Sequence, residues 1–301
     1  MSEREGPQRE RGATRAGGEE RAQRLLGVLG TGLVDPAAPQ LRADDLGVLR
    51  GDGCFESVRL RPSGELDDLE PHLDRLDRSA AALELPATDR GAWRELVGAL
   101  VGAWDRPGEG VLRLVVTRGP EEGGRPTAFA LLAPVSAEQL RQRREGVKVL
   151  TLSRGLVAAA TVEAPWLLGG VKAISYAVNM AAQRHAHAAG ADDVVFVSAD
   201  GQLLEAPTAT VVWLRDGALC TPPAVPLGIL DGVTVRRLFA RAGRHGFGTE
   251  VRRGTVDDLH AADGVWLVSS IRLAAAVTAL DGKPLPVDPA AAARVQAACG
   301  G

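Results

Sequence analysis

Short apolar segments that alternate with amphipathic segments and glycine-containing turns constrain the fold of this chain more than any other feature. Residues 54–60 alternate between apolar and polar side chains, which predicts a half-buried strand. The apolar runs 111–117 and 127–134 predict two further strands, joined by a Gly-rich loop. Residues 26–34 predict a strand with a Gly-rich bend. Apolar side chains at helical spacing predict a helix over residues 72–85.

The second half of the chain continues the same alternation. Apolar runs at 147–152 and 265–269 predict strands, and residues 211–220 predict a hairpin closed by an Asp-Gly turn. Residues 175–189 and 234–245 predict helices. Because hairpins and helices are mixed in both halves, the sequence predicts an α/β or α+β fold of two domains.

The composition of the chain predicts where these domains begin and end. Residues 1–22 are rich in Glu, Arg and Gly and lack apolar periodicity, which predicts a disordered tail. With 301 residues, of which 45% are hydrophobic, the remaining chain is large enough for two cores. The polar segment 137–146 predicts the connection between them. We therefore expect a smaller N-terminal α+β domain over 23–146 and a larger C-terminal domain over 147–301.

Charge, cysteine content and hydropathy exclude several classes of protein. The formal net charge of −3 argues against a dedicated nucleic-acid binder, which usually carries a basic excess. The three cysteines lie far apart without a CxxC pair, so we expect neither a zinc site nor a disulfide framework. No apolar run is long enough to span a membrane, and the charged N-terminus lacks a signal core. We expect a cytoplasmic protein without metal, membrane or nucleic-acid partners.

Lys172 is the residue whose surroundings point most directly to chemistry. It is one of only three lysines, with Lys148 and Lys283, in a chain whose other basic residues are mostly arginines. Its neighbours in residues 170–176 are largely apolar, and partial desolvation lowers the pKa of a lysine. Imine formation and proton abstraction both need such an uncharged amine, which arginine cannot supply. A surface lysine whose stem lies along apolar residues is the alternative.

Three more segments carry residues suited to binding a charged cofactor. Glu205 follows an apolar pair, so it either caps a strand edge or binds a protonated ring nitrogen. Val233 and Thr234 open a helix, and helix N-terminal amides attract phosphate; an ordinary threonine cap is the alternative. Arg75 lies off the apolar stripe of its helix, where its planar guanidinium either binds phosphate or is simply solvated.

Two arginines flank the Gly-rich loop that joins the predicted strands 111–117 and 127–134. Arg118 precedes this loop and Arg125 follows it. Loops held by rigid strands commonly carry binding residues, so these side chains are candidates for a substrate carboxylate. Plain loop charges are an equally good interpretation.

The order of these segments resembles the class IV aminotransferase family, the fold type IV enzymes that use pyridoxal 5′-phosphate (PLP). Residues 51–56, Gly-Asp-Gly-Cys-Phe-Glu, look like the family's GDGxFE strand. Residues 72–76, His-Leu-Asp-Arg-Leu, look like its HxxRL helix, and residues 113–119 are similar to its LRxxxTRG strand. The resemblance covers about residues 26–286. It implies the two-domain D-amino-acid-aminotransferase-like fold, with PLP in the cleft between the domains.

The resemblance also implies roles for individual residues. Lys172 would carry PLP and Glu205 would hold the pyridine nitrogen protonated. Arg75, Val233, Thr234 and Ser270 match the phosphate cup. Tyr176 lies near the place of a tyrosine that contacts the cofactor phenolate, although the family's tyrosine is usually one residue further along. Phe55 and Glu56 are expected to face the substrate, and Arg118 or Arg125 to bind its carboxylate. Family members are usually homodimers in which a loop of the partner completes the active site, which we expect here too.

Two activities of this family fit the sequence. The strand at 51–55 closely resembles that of 4-amino-4-deoxychorismate lyases, and residues 205–210 lack the acid-Gly-x-Gly-Glu-Asn form of branched-chain aminotransferases. We therefore expect a lyase that yields 4-aminobenzoate and pyruvate for folate synthesis. The alternative is transamination of D-alanine or a branched-chain amino acid with 2-oxoglutarate. A protein that binds PLP without turnover is the third interpretation.

Overall fold

The computed structural model describes residues 24–300, so the tail predicted for residues 1–22 lies outside the described residues. The first sheet has five antiparallel strands in the order β2-β1-β5-β4-β3, which leaves β3 at one edge. These strands are β1 (Leu25–Val28), β2 (Gly32–Val34), β3 (Gly53–Leu60), β4 (Gly110–Thr117) and β5 (Ala128–Pro134). The single bent strand predicted for residues 26–34 is wrong, because β1 and β2 pair with each other as a hairpin.

Between residues 24 and 136 of the described chain, three helices accompany this sheet: α1 (Leu46–Arg50), α2 (Leu69–Ala82) and α3 (Arg90–Gly102). The apolar faces of α2 and α3 form one core with the strands. Leu73 and Leu76 on α2 and Trp93 on α3 are at most 1% exposed. The helix predicted over 72–85 is confirmed, although it begins earlier and ends at Ala82. This packing places the face of α2 that carries His72 and Arg75 next to the edge strand β3.

The second sheet has eight strands, of which seven follow the order β10-β9-β8-β11-β12-β6-β7 while β13 pairs with β12. It is mixed, because β9 with β10, β6 with β12 and β6 with β7 run parallel. The hairpin predicted over 211–220 is confirmed as the pair β8 and β9. The strands are β6 (Val147–Ser153), β7 (Asp193–Val197), β8 (Thr210–Arg215), β9 (Ala218–Thr221), β10 (Gly248–Val251), β11 (Gly264–Ser269), β12 (Leu273–Leu280) and β13 (Lys283–Pro284).

Seven helices belong to this half of the described chain, together with short 3-10 segments at Pro165–Leu167 and Gly243–His245. They are α4 (Ala137–Glu145), α5 (Ala160–Glu163), α6 (Ala177–Ala188), α7 (Ala224–Leu227), α8 (Val233–Ala242), α9 (Val256–His260) and α10 (Pro289–Ala298). Apolar residues of α8 and α10 cover one part of the sheet, and those of α6 cover another. Over residues 24–300, no helix combines the length and the apolar character needed to cross a bilayer.

The polar segment 137–146 is helical, which its composition did not predict. Ser136 accepts a hydrogen bond from the backbone N–H of Gln139, and the Gln139 side chain accepts one from the backbone N–H of Ser136. This capping box stabilises the first turn of α4 between the last strand of one sheet and the first strand of the other. The domain boundary near Gly146, with domains 23–146 and 147–301, remains our proposal.

A half-buried carboxylate, that of Glu109, connects α4 to the first sheet. Glu109 accepts paired hydrogen bonds of 2.8 Å from Arg59 on β3, and paired bonds of 2.7 and 2.8 Å from Arg143 on α4. Burial alone would raise the pKa of Glu109, but the two guanidinium groups lower it to about 2. The ionised carboxylate therefore neutralises the buried Arg59 and the half-buried Arg143 where the sheets meet.

We predict that Glu109→Ala lowers the free energy of unfolding by about 3 kcal/mol, because it leaves Arg143 without a carboxylate and Arg59 with Asp67 alone. The folded-state pKa of about 2 lies below the ordinary value of 4.5, so this stabilisation is present above about pH 4.5 and is lost as the pH falls towards 2. Denaturant unfolding between pH 3 and 7 measures it, with the exposed Glu121→Ala as control. Equal losses for both variants at pH 7 would contradict the account.

Candidate active site

A cleft of about 680 Å³ opens between the two sheets, and both halves of the described chain line it. From the first half come Phe55 on β3 and Arg75 on α2. The second half contributes residues from its loops and from the start of α8. The sequence-predicted residues that meet at this cleft are Phe55, Arg75, Lys172, Tyr176, Glu205, Val233, Thr234 and Ser270.

Backbone pairing with the edge strand β3 positions Lys172. The carbonyl of Lys172 accepts from the N–H of Phe55 at 3.1 Å, and the N–H of Ile174 donates to the carbonyl of Gly53 at 2.9 Å. The N–H of Lys172 donates to the buried Ser79 hydroxyl on α2 at 3.2 Å. A residue from an irregular segment is therefore fixed by both the sheet and a helix of the other half.

The Lys172 amine lies against two aromatic rings. Its Nζ is 4.4 Å from the centre of the Phe55 ring and 3.3 Å from the Tyr176 hydroxyl. Burial, followed by the positive charge of Arg75, lowers the pKa of Lys172 to about 8, although the carboxylates of Glu56 and Glu205 oppose the shift. Burial raises the pKa of Tyr176, so its hydroxyl keeps its proton. The amine is thus uncharged far more often than an ordinary lysine.

Glu205 offers a second buried group to the cleft. Its Oε2 accepts from the backbone N–H of Leu230 at 3.1 Å, and burial raises its pKa. Asn179 on α6 steadies the loop that follows, because its side-chain amide donates to the carbonyl of Pro207 at 2.8 Å. A desolvated carboxyl group in this position gains most by pairing with a cation, such as a protonated ring nitrogen.

The start of α8 forms an anion-binding corner. The first helical residues are Val233 and Thr234, whose backbone N–H groups lie at the positive end of the helix. A Cβ at the preceding Gly232 would lie 2.8 Å from the Thr210 hydroxyl, so a side chain at this position would have to displace Thr210. The Thr234 hydroxyl lies 3.1 Å from that of Ser270, and both line the cleft. This set of donors suits a phosphate group.

Arg75 lines the same corner of the cleft, and hydrogen bonds to two other residues fix its guanidinium group. Its Nε and Nη2 donate to the Glu56 carboxylate at 2.6 and 2.9 Å, and its Nη1 donates to the carbonyl of Asp231 at 2.9 Å. Glu56 is fully buried and does not line the cleft. The expectation that Glu56 faces the substrate is therefore wrong, because alternation along β3 directs Phe55 into the cleft and Glu56 towards α2.

The structure does not bring Arg118 and Arg125 to this cleft. The Arg118 guanidinium pairs with Asp52 and donates to the carbonyls of Leu83 and Glu84 near the end of α2. Arg125 is likewise outside the residues that line the cleft. Within one chain neither side chain is placed to meet a substrate, so their role as carboxylate ligands stays a prediction.

Three other arginines, Arg113, Arg154 and Arg272, line the cleft, and none of them was predicted from the sequence as a site residue. Arg272 is held in a buried ion pair, so the other two are the free guanidinium groups of the cleft among the described residues. Arg113 projects from β4, where it pairs across the sheet with Ser57, and Arg154 lies just after β6. Among residues 24–300, neither guanidinium forms an ion pair or a hydrogen bond, although Arg154 stacks on Phe196. Burial lowers the pKa of Arg113. The feature of the sequence that could have identified Arg113 is a cation in an otherwise apolar strand.

The sequence profile of the family described as "Amino-transferase class IV" matches residues 53–280. This chain belongs to the class IV aminotransferase family. It is 44% identical over 269 residues to the "Bifunctional aminodeoxychorismate lyase / D-amino acid transaminase" of Mycobacterium tuberculosis. The aligned residues cover 86% of this chain and 92% of that protein. The family assignment confirms the resemblance inferred from the ordered motifs.

Solved structures agree with this assignment. A hypothetical aminotransferase from Mycobacterium tuberculosis in its PLP-bound form is 42% identical, with a TM-score of 0.88 over 92% of this chain and 98% of that one. Its form with α-ketoglutarate and PMP is 44% identical, with a TM-score of 0.88 over 91% and 98%. The mixed α/β architecture with two sheets is therefore the fold of fold type IV aminotransferases. The protein is a PLP-dependent enzyme.

The residues at the cleft fit PLP on chemical grounds. PLP needs an amine of lowered pKa, an acid for its ring nitrogen and donors for its phosphate. Lys172 and Glu205 supply the first two, and the start of α8 with Ser270 supplies the third.

We predict that PLP-free protein takes up PLP faster as the pH rises, with a midpoint near 8, because only the uncharged Lys172 amine reacts. The growth of the absorption band of bound PLP, followed in stopped flow between pH 6.5 and 10, measures this rate. Lys148→Ala, an exposed lysine, should leave the profile unchanged. A rate that shows no midpoint in this range and still rises steeply at pH 10, as the ordinary lysine value of 10.5 requires, would show that the amine is not desolvated.

Proposed function

We propose that this enzyme is a 4-amino-4-deoxychorismate lyase that releases 4-aminobenzoate and pyruvate, and so serves folate synthesis. The observation that carries the proposal is the pair of arginines, Arg113 and Arg154, that line the cleft without ion-pair partners among residues 24–300. Unpaired guanidinium groups beside a reactive amine suit a substrate with two carboxylates. The proposed substrate has one on its ring and one on its enolpyruvyl group. The lyase activity in the name of the 44% identical relative supports this choice.

In this proposal Lys172 has two tasks. It holds PLP covalently and, once substrate has displaced it, it moves the proton of the carbon that bears the substrate amino group. When bound, PLP supplies an electron sink for that carbon. The lowered pKa of Lys172 keeps the amine available as a base, while the neighbouring Tyr176 hydroxyl stays protonated and acts as a donor. The Phe55 ring covers the amine and limits the access of water.

The remaining cofactor contacts are divided between the two ends of the cleft. Glu205 binds the protonated ring nitrogen, and this pairing compensates the cost of burying its carboxylate. At the other end Val233, Thr234, Ser270 and Arg75 hold the phosphate. Because the leaving of enolpyruvate makes the substrate ring aromatic, the site mainly has to orient the substrate, which is the task we assign to Arg113 and Arg154.

Transamination of D-amino acids with 2-oxoglutarate is the second candidate. The relative in Mycobacterium tuberculosis carries both activities in its name, and the related structure was solved with α-ketoglutarate and PMP. A dicarboxylic keto acid would use the same two arginines. Branched-chain amino acids, the other alternative from the sequence, have no comparable support among the residues of the cleft.

We also propose that the enzyme is a cytoplasmic homodimer. Several large apolar side chains near the cleft are exposed in the single chain, among them Trp166 at 78% and Val225 at 84%. Exposed apolar groups of this size commonly lie in subunit interfaces. A second copy of the chain that covers them would also bring one of its loops to the active site, as the family resemblance implies.

We predict that the PLP-loaded protein converts 4-amino-4-deoxychorismate to equal amounts of 4-aminobenzoate and pyruvate. Chromatography of both products measures the reaction, and parallel reactions with D-alanine and 2-oxoglutarate measure glutamate. Formation of glutamate without any 4-aminobenzoate would contradict the lyase proposal and leave the second candidate. Formation of both would extend the bifunctional character of the relative to this enzyme.

The same assay tests the substrate site. Arg113→Gln should raise KM by about tenfold to a hundredfold with little change in kcat, because it removes a charged contact made before and during the reaction. Arg244→Gln removes an exposed arginine outside the cleft and should behave as wild type. An unchanged KM for Arg113→Gln would exclude Arg113 as a carboxylate ligand.

A further inference from the structure

A chain of four side chains runs from the interior of the first half to the anion-binding corner. Glu56 on β3 and His72 on α2 are fully or almost fully buried. His72 Nδ1 lies 2.7 Å from the Glu56 carboxylate, and its Nε2 lies 3.2 Å from the Ser270 hydroxyl. The Ser270 hydroxyl oxygen in turn lies 3.1 Å from the Thr234 hydroxyl oxygen. The proposed function uses Ser270 and Thr234 but assigns no task to His72.

The protons of this chain have one consistent arrangement when the corner holds no anion. Burial would raise the pKa of Glu56, but the charge and hydrogen bonds of Arg75, with a hydrogen bond from His72, lower it to about 2. The carboxylate only accepts, so Nδ1 of His72 carries a proton. Burial lowers the pKa of His72, which leaves the ring neutral and Nε2 an acceptor. Ser270 therefore donates to His72, and Thr234 donates to Ser270.

This arrangement conflicts with the binding of a phosphate dianion, which can only accept hydrogen bonds. While Ser270 donates to His72, its hydroxyl has no proton to offer to the phosphate. If Ser270 turns its proton to the phosphate, Nε2 and the Ser270 oxygen face each other as two acceptors. A buried contact of that kind is costly, and a proton on Nε2 removes the cost.

We propose that binding of a phosphate group at Ser270 and Thr234 is coupled to the uptake of one proton from solvent by His72 at Nε2. The new N–H then donates to Ser270, whose hydroxyl donates to the phosphate. This inference rests on the proposed function, which places the PLP phosphate at this corner. His72 is thus a positioning residue, since it acts on the phosphate through Ser270.

The charges around His72 allow this uptake. Glu56 faces the ring from β3, and Asp68 and Arg75 face it from its own helix or the cap of that helix. The two carboxylates favour the imidazolium, whereas Arg75 opposes it. From the loop after β11 the Ser270 hydroxyl contacts the ring, and the Thr234 hydroxyl of α8 lies behind it. The charged group that α8 brings to this region is Arg237, which pairs with Asp68 at 3.0 Å and so weakens the effect of that carboxylate on the ring. A phosphate dianion adds a further charge that favours protonated His72.

Calorimetry of PLP-free protein with pyridoxamine 5′-phosphate tests the coupling. Titrations at pH 8 in two buffers of different ionisation enthalpy give the number of protons taken up. Wild type should take up about one proton more than His72→Gln, because an amide at this position donates to Ser270 without being charged. Ser270→Ala should also lose this proton while still binding, which keeps the test open if His72→Gln does not fold. His185→Gln, an exposed histidine, is the control and should match wild type.

The pH dependence of affinity gives an independent readout. Between pH 7 and 9 the affinity of wild type should fall by up to about tenfold per pH unit more than that of His72→Gln, as expected for one linked proton. Equal proton numbers and parallel pH profiles for the two proteins would overturn the coupling. Absence of pyridoxamine 5′-phosphate binding by wild type would instead contradict the proposed function, so the two failures are distinguishable.

Discussion

The backbone pairing between residues 172–174 and the edge strand β3 is the contact on which the rest of the site depends. It joins an irregular segment of the second half to the sheet of the first, and so brings Lys172 into the cleft. A Cβ at Gly53 would lie 2.5 Å from the carbonyl of Val116, which explains the glycine in this strand. The same strand directs Phe55 into the cleft and Glu56 towards α2, so one short segment positions groups on both sides.

Burial shifts the pKa values of the amine and the carboxyl group at the cleft in opposite directions. It lowers the pKa of Lys172 and raises that of Glu205, so both groups are less charged than in water. Glu56 remains ionised because Arg75 neutralises it at close range. The reactive amine and the acid are therefore less charged inside the cleft, while the ion pair of Arg75 and Glu56 stays charged beside the start of α8.

Much of this arrangement could be predicted from the sequence, because motifs in a fixed order reflect a fixed fold. Lys172, Glu205, Arg75 and Thr234 do meet at one cleft. What could not be predicted depends on contacts between distant segments. Arg118 pairs with Asp52, whereas Arg113 faces the cleft. Both positions follow from the pairing of β3 with β4, two strands that are distant in the sequence. The helical form of 137–145 had a local signal, the Ser136–Gln139 capping box, which the polar composition masked.

Lys172 is the lysine that we expect to carry the cofactor, and the chain provides the controls because Lys148 and Lys283 are its only other lysines. Treatment of the PLP-loaded protein with borohydride makes the bond between lysine and cofactor permanent. Mass spectrometry of the digested protein then locates the label. The account predicts a pyridoxyl group at Lys172 alone, and none in Lys172→Ala. A label at Lys148 or Lys283 in wild type, or an unlabelled Lys172, would contradict it.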